Sequence, residues 1–136
     1  MERIRRENSE NDGRRVCLDT NIPIEIIRGS PQFAHLREKY ARQTPVIASI
    51  TVFELLMRRT NLAEVEVFIA NSDILYFDEK SARIASSIAK HLKEKGIVIP
   101  AHDLFIAATA ISNNCELLTL NKKDFEHIEG LKLVDM

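Results

Sequence analysis

The sequence predicts an α/β fold, a mostly parallel sheet with helices packed on both of its faces. Three observations carry this. Short apolar runs alternate along the chain with longer amphipathic stretches, the order of strand–helix–strand units. The runs are apolar throughout rather than at every second residue, which suits strands covered on both sides. The length of 136 residues fits one domain with a core of its own.

Residues 1–13 are polar, mixed in charge and closed by Gly13, so they are expected to form a mobile arm ahead of a single domain at 14–136. The first strand, 15–19, ends on Asp19. A helix over 22–27 takes Pro23 in its first turn. Gly29, Ser30 and Pro31 close it, and Phe33, Leu36 and Tyr40 recur at helical spacing as far as Arg42. Thr44 and Pro45 lead into a second strand, 46–48. Residues 49–59 read as a helix with Phe53, Leu56 and Met57 on its apolar side, and 62–70 as another short helix. After a third strand at 74–77, Asp78 caps a long helix whose inner stripe is Ala82, Ala85, Ile88, Ala89 and Leu92, with Gly96 ending it. An apolar connector, 97–100, precedes a helix at 103–113. Its small residues, Ala107, Ala108, Thr109 and Ala110, suit close approach to a sheet. A fourth strand at 116–119, a brief turn or helix at 123–127 and a last strand at 131–134 complete the chain.

Composition narrows the function. Apolar residues at 45% and charged residues at 29% are an ordinary globular balance. No apolar run approaches the roughly 20 residues that span a bilayer, and the charged first segment has no apolar h-region of a secretory signal. A cytoplasmic protein without a membrane partner is expected. Lysine and arginine number 19 against 20 aspartates and glutamates, so there is no whole-molecule basic footprint and any nucleic-acid contact is local. Cys17 and Cys115 match no metal or redox spacing, and a disulfide between them is conceivable but not indicated. Cys17 reads as a small apolar strand residue.

In a parallel sheet the strand-to-helix junctions share the edge where ligands bind and chemistry occurs. Asp19 ends the first strand, and Glu54 lies in the first turns of the helix after the second. Asn121 follows the fourth strand, with Asp124 about one turn on. Asp103 opens the alanine-rich helix and reaches this edge if that helix starts beside the first strand. Each residue also has a local reading. Asp19 suits an N-cap, and Thr51 with Glu54 fits a capping box. Asp103 complements a helix dipole, and Asp124 suits a turn. Taken together they point elsewhere. Two carboxylates about 4 Å apart repel by roughly 4 kcal/mol at an effective dielectric near 20, so three or four converging acids call for protons or a divalent cation. An all-oxygen donor set favours Mg2+ or Mn2+ over Zn2+.

Four runs in order carry a resemblance: 18–21 (Leu-Asp-Thr-Asn), 49–55 (Ser-Ile-Thr-Val-Phe-Glu-Leu), 99–110 (Ile-Pro-Ala-His-Asp-Leu-Phe-Ile-Ala-Ala-Thr-Ala) and 118–125 (Leu-Thr-Leu-Asn-Lys-Lys-Asp-Phe). Together they resemble the PIN domain family, and its VapC-type toxin branch most of all, over residues 16–134. The resemblance implies a three-layer α/β/α sandwich around a five-stranded parallel sheet. It implies an endoribonuclease dependent on Mg2+ or Mn2+, hydrolysing RNA with metal-activated water to leave a 5′-phosphate and a 3′-hydroxyl. It further implies a homodimer and a cognate antitoxin.

By motif position Asp19, Glu54 and Asp103 match the family's three principal acids and are the expected metal ligands, with Glu54 either binding metal or orienting water. Asn21 matches the polar residue that positions the first acid. The fourth acidic position falls on Asn121, a departure from the pattern. Either Asp124 moves in, or the site runs on three carboxylates and an amide. Thr119 and Asn121 are candidates for hydrogen bonds to water or phosphate, and equally a strand end and a turn residue. Arg58 and Lys122, with Arg59 and Lys123, offer salt-sensitive phosphate contacts, or simply a solvated face. His102 is set aside, because metal-activated water needs no histidine and nothing in the sequence turns its ring inward. Ile22, Ile26, Phe33 and Leu36 read either as core or as a partner groove. Rival readings are a non-catalytic RNA- or protein-binding module of the same fold, supported by Asn121, and a nuclease of RNA processing without an antitoxin. A third, phosphoryl transfer through an aspartyl phosphate at Asp19, lacks a second adjacent Asp and a following Lys signature.

Overall fold

Four strands of three residues each run parallel in the order β3-β2-β1-β4: β1 (Val16–Leu18), β2 (Val46–Ala48), β3 (Asp73–Leu75) and β4 (Glu116–Leu118). The computed structural model describes residues 14–135, and the arm expected at 1–13 lies outside them. Cys17 pairs with Val46 on one side and Leu117 on the other, and Ile47 pairs with Ile74. The fifth strand expected at 131–134 contributes a single parallel bridge between Leu133 and Leu117. Leu117 N–H donates to Lys132 O and Val134 N–H to Leu117 O, each at 2.9 Å. The run is bounded by Gly130, in the left-handed region at φ 86°, and by the charged Asp135.

Six helices stand among the described residues: α1 (Asn21–Arg28), α2 (Ala34–Arg42), α3 (Ser49–Leu56), α4 (Leu62–Ala70), α5 (Glu79–Glu94) and α6 (Ala101–Ser112). Short 3-10 turns occupy Pro31–Phe33 and Lys122–Asp124. Successive strand residues point to opposite faces, and this divides the core in two. Cys17, Val46, Ala48 and Leu117 pack with Ala85, Ile88, Leu92, Ile106 and Ala107 of α5 and α6. Leu18, Ile47 and Leu118 pack with Ile22, Ile26, Phe33, Leu36, Leu55 and Val65 of the first four helices and the turn between α1 and α2. The result is a three-layer sandwich, and Ile22, Ile26, Phe33 and Leu36 are core rather than groove. Ala107, Ala108 and Ala110 are fully buried, so α6 does lie close. Cys17 and Cys115 are buried free thiols. No helix among the described residues is long and apolar enough to cross a membrane.

Three local expectations are corrected. In α5 the buried stripe is Ser81, Ala85, Ile88 and Leu92, while Ala82 and Ala89 face solvent. Ser81 sets that rotation, because its hydroxyl bonds Asp78 Oδ1 at 2.9 Å and pairs with Ser112 Oγ at 2.8 Å. In α3 the inward residues are Thr51 and Leu55, and Phe53, Leu56 and Met57 are exposed. The helix stops at Leu56 rather than 59. The third strand ends at Leu75, because Phe77 N–H turns to Ser49 Oγ at 3.2 Å and leaves Tyr76 exposed.

Asp78 caps α5 as expected, accepting from Ser81 N–H at 2.9 Å. The Ser81 backbone N–H and then its hydroxyl hold the Asp78 carboxyl below the usual carboxylate range. A carboxyl with a lowered folded-state pKa contributes stability above its unfolded pKa and loses it as pH falls through the folded value. Asp78→Ala therefore lowers the melting temperature at neutral pH, and the gap from wild type closes in acid. Thermal unfolding of both proteins across that range measures it.

Chain order places the site. β1, β2 and β3 step one way across the sheet, whereas β4 returns to the other side of β1. The direction reverses between β1 and β4, and the crevice beyond their carboxyl ends is where open α/β sheets bind ligands.

Candidate active site

At that crevice an open pocket of about 310 Å3 is lined by Asp19, Asn21, Glu54, Arg58, Asp103, Asn121 and Asp124, together with Thr20, Ile24, Pro100 and His102. Seven of the residues expected at the site from the sequence thus meet there. Asp19 follows β1 directly and is buried. Its backbone N–H donates to Leu118 O at 2.9 Å, tying the acid to the neighbouring strand end. Its two carboxylate oxygens are separately held. Oδ1 accepts from Thr20 N–H at 2.9 Å and Oδ2 from the Thr119 hydroxyl at 2.7 Å. Thr119 Oγ in turn accepts from Asn121 N–H at 2.9 Å.

Glu54 does not complete a capping box. The N-cap of α3 is Ala48, so Thr51 lies inside the first turn, and its hydroxyl pairs with Thr20 Oγ at 3.1 Å. Thr20 donates to Glu54 Oε1, which turns that carboxylate from its own helix toward β1. Asp103 lies in the first turn of α6 and is buried, where the helix dipole favours an anion. Asn121 Nδ2 donates to Asp124 Oδ2 at 2.6 Å. The fourth acidic position is therefore served by an amide with a carboxylate beside it.

The electrostatics show crowded anions. Burial raises the Asp19 pKa, against hydrogen bonds from Thr119 and Thr20 that lower it, and the charge on Glu54 adds to the rise. The Asp103 carboxyl is pushed up to about 7, by burial first and next by a hydrogen bond with Asp124 that requires a proton on one partner. His102 opposes that rise, while the charges of Asp19 and Asp124 add to it.

Two expected residues fall elsewhere. Thr119 is buried beneath the pocket and bonded to Asp19, so it positions an acid instead of meeting phosphate. Lys122 is absent from the lining and its ammonium pairs with Asp135, because the 3-10 turn carries it toward the chain end. Sequence reasoning missed Thr20, read Thr51 only as part of a capping box, and set His102 aside. The ring of His102 faces the acids, with Nε2 3.5 Å from Glu54 Oε2 and 3.3 Å from Asp103 Oδ1. The signal available was its place next to Asp103 at a helix start.

Comparison with known proteins identifies the family. Residues 16–131 match the family model of the PIN domain. The chain is 35% identical over 127 residues to the tRNA(fMet)-specific endonuclease VapC of Salmonella typhimurium, covering 87% of this chain and 95% of that protein. It is 35% identical over 132 residues to ribonuclease VapC1 of Rickettsia felis, covering 88% and 94%. The crystal structure of DNA-bound VapBC from Salmonella typhimurium superimposes with a TM-score of 0.77 at 31% identity, covering 90% of this chain and 98% of that one.

Proposed function

The chain belongs to the PIN domain family, and from that premise we propose that it is an endoribonuclease dependent on Mg2+ or Mn2+ and the toxin of a toxin–antitoxin pair. The observation that carries the reading is the convergence of Asp19, Glu54, Asp103 and Asp124 on one open pocket with Arg58 at its wall. The ribonuclease and endonuclease names of its relatives support the same reaction, and the VapBC pairing of the solved neighbour supports a partner.

The donors fit the cation. All are hard oxygens, and burial and the neighbouring acids push the Asp103 carboxyl up. As the side chains stand, no three such groups surround one point among the described residues. The hold of Thr20 on Glu54 and of Asn121 on Asp124 engages oxygens instead. Asp19 and Asp103 are the residues to hold the ion, with Glu54 or Asp124 beside them. When bound, Mg2+ or Mn2+ supplies charge neutralisation at the scissile phosphate and a more acidic water. Thr119 keeps Asp19 turned toward the pocket. Glu54 accepts a hydrogen bond from the attacking water and aims it, and Asp103 releases its proton before cleavage. Arg58 and Asn21 meet the phosphate oxygens.

Labelled RNA incubated with the purified protein tests this. Cleavage with Mg2+ or Mn2+, leaving 5′-phosphate and 3′-hydroxyl ends, and none with EDTA is the expected result. Cleavage undiminished by EDTA removes the cation from the mechanism. RNA binding without cleavage under any cation turns the reading to a non-catalytic module. A small DNA-binding protein encoded beside the gene supports the toxin pairing, and a neighbourhood without one points to RNA processing.

The pH dependence has a definite sign. A carboxyl raised to about 7 binds more protons folded than unfolded, so the cation-free protein loses stability as pH rises from the ordinary carboxylate range toward neutrality. A bound cation displaces that proton, so its affinity rises with pH up to about 7 and levels off above. Mn2+ titrations by calorimetry across that range, with melting curves alongside, measure both trends.

Phe53 and Leu56 on α3, Met57 just after it, and Leu62 and Val67 on α4 are exposed, and contiguous apolar patches mark protein contacts. We assign this face to a second copy of the chain. The expected result is a dimer by light scattering that the double substitution Phe53→Glu, Met57→Glu converts to monomer. A monomeric wild type at all concentrations rejects the assignment.

A further inference from the structure

His102 has no part in the reaction as derived above, yet its ring joins two of the acids. It sits in the first turn of α6, where Pro100 at the N-cap fixes the approach of the chain with φ −59° and ψ 144°. Its side chain is half exposed at the pocket, and Nε2 lies 3.5 Å from Glu54 Oε2 and 3.3 Å from Asp103 Oδ1. Those acids stand on different helices, α3 and α6. Thr20 already holds Glu54 Oε1, so the ring addresses the other oxygen. A histidine merely resting on the surface has no reason to aim one nitrogen between carboxylates of two separate elements.

We propose that His102 is a positioning residue for the cation site: its Nε2 lies between Glu54 and Asp103 and keeps the two carboxylates at the spacing a shared divalent ion requires. Neighbouring carboxylates repel one another, and the long side chain of Glu54 has several rotamers to lose on ligation. A donor between the acids offsets the first and limits the second. Polar groups placed beside ligating side chains in this way set metal affinity rather than the chemistry itself. The inference rests on the cation-dependent reading and adds a residue that it did not contain.

Mn2+ binding to the RNA-free protein at neutral pH tests it, with wild type, His102→Ala and His102→Gln compared by calorimetry. We expect His102→Ala to raise the Kd by about 10- to 100-fold without lowering the melting temperature of the cation-free protein. Its kcat at saturating Mn2+ stays near wild type. His102→Gln places an amide N–H where Nε2 stands, so it restores the Kd to within about threefold of wild type. An unchanged Kd in His102→Ala overturns the bridging role, as does a glutamine variant no better than alanine. Loss of kcat at saturating Mn2+ with an unchanged Kd also overturns it, moving the ring to the substrate. If wild type itself binds no Mn2+, the cation-dependent reading falls and the bridging role falls with it.

Discussion

Asp19→Asn lowers cation-dependent RNA cleavage by more than about a hundredfold while leaving the fold in place, since even hydrogen-bond partners of metal ligands are commonly worth 10- to 100-fold. The substitution is isosteric. The amide oxygen still accepts from Thr20 N–H, and the Thr119 hydroxyl can rotate to accept from the new amide nitrogen. What disappears is one negative charge at the centre of the pocket, on the residue whose oxygens are fixed at 2.9 Å and 2.7 Å by two separate donors. Asp103→Asn gives a loss of the same order. Thr119→Val, which keeps every ligand but frees Asp19 Oδ2, gives a smaller one, about 10- to 100-fold. Cleavage rates with Mg2+ and Mn2+, checked against circular dichroism and melting temperature, separate these effects. Cleavage at the wild-type rate by Asp19→Asn removes that residue from the mechanism.

Phe125→Ala destabilises the protein by about 3–5 kcal/mol, the range for truncating a buried aromatic ring. Phe125 is among the largest fully buried side chains, 1% exposed, and packs into the core that contains Cys17, Leu117 and Ile128. It directly follows Asp124, so it anchors the turn that presents Asn121 and Asp124 to the pocket. Activity therefore falls along with stability, although no ligand has been touched. Phe125→Leu, which refills most of the volume, recovers most of both. Urea unfolding gives the stability change, and cleavage assays well below the melting temperature give the activity change.

The strand-and-helix order of this chain, and most of its pocket, can be read from the residues because the signals are local and redundant. Continuous apolar runs mark doubly covered strands, and Asp19 and Asn121 stand just after strands whose ends share one edge by parallel pairing, whereas Asp103 reaches that edge from a helix that follows another helix. What the sequence could not show depends on side-chain hydrogen bonds across elements. Ser81 looked like an unremarkable polar residue, yet its bonds to Asp78 and Ser112 set the rotation of α5. Thr51 and Glu54 have the spacing of a capping box, and only the approach of Thr20 reveals that both turn away from their helix end. Lys122 looked available for phosphate until the chain end brought Asp135 to it. His102 was discounted because the direction of an imidazole is decided by the helix start it rides on, which hydropathy does not encode.

The hydrogen bond from Thr119 to Asp19 joins residues 100 positions apart, and Asp124 comes later still. A ribosome working through this message must therefore pass codon 124 before the acids of the pocket can meet, because the partner that fixes Asp19 is made a hundred residues after it. The order of synthesis thus separates the appearance of the first acid from the appearance of a competent pocket.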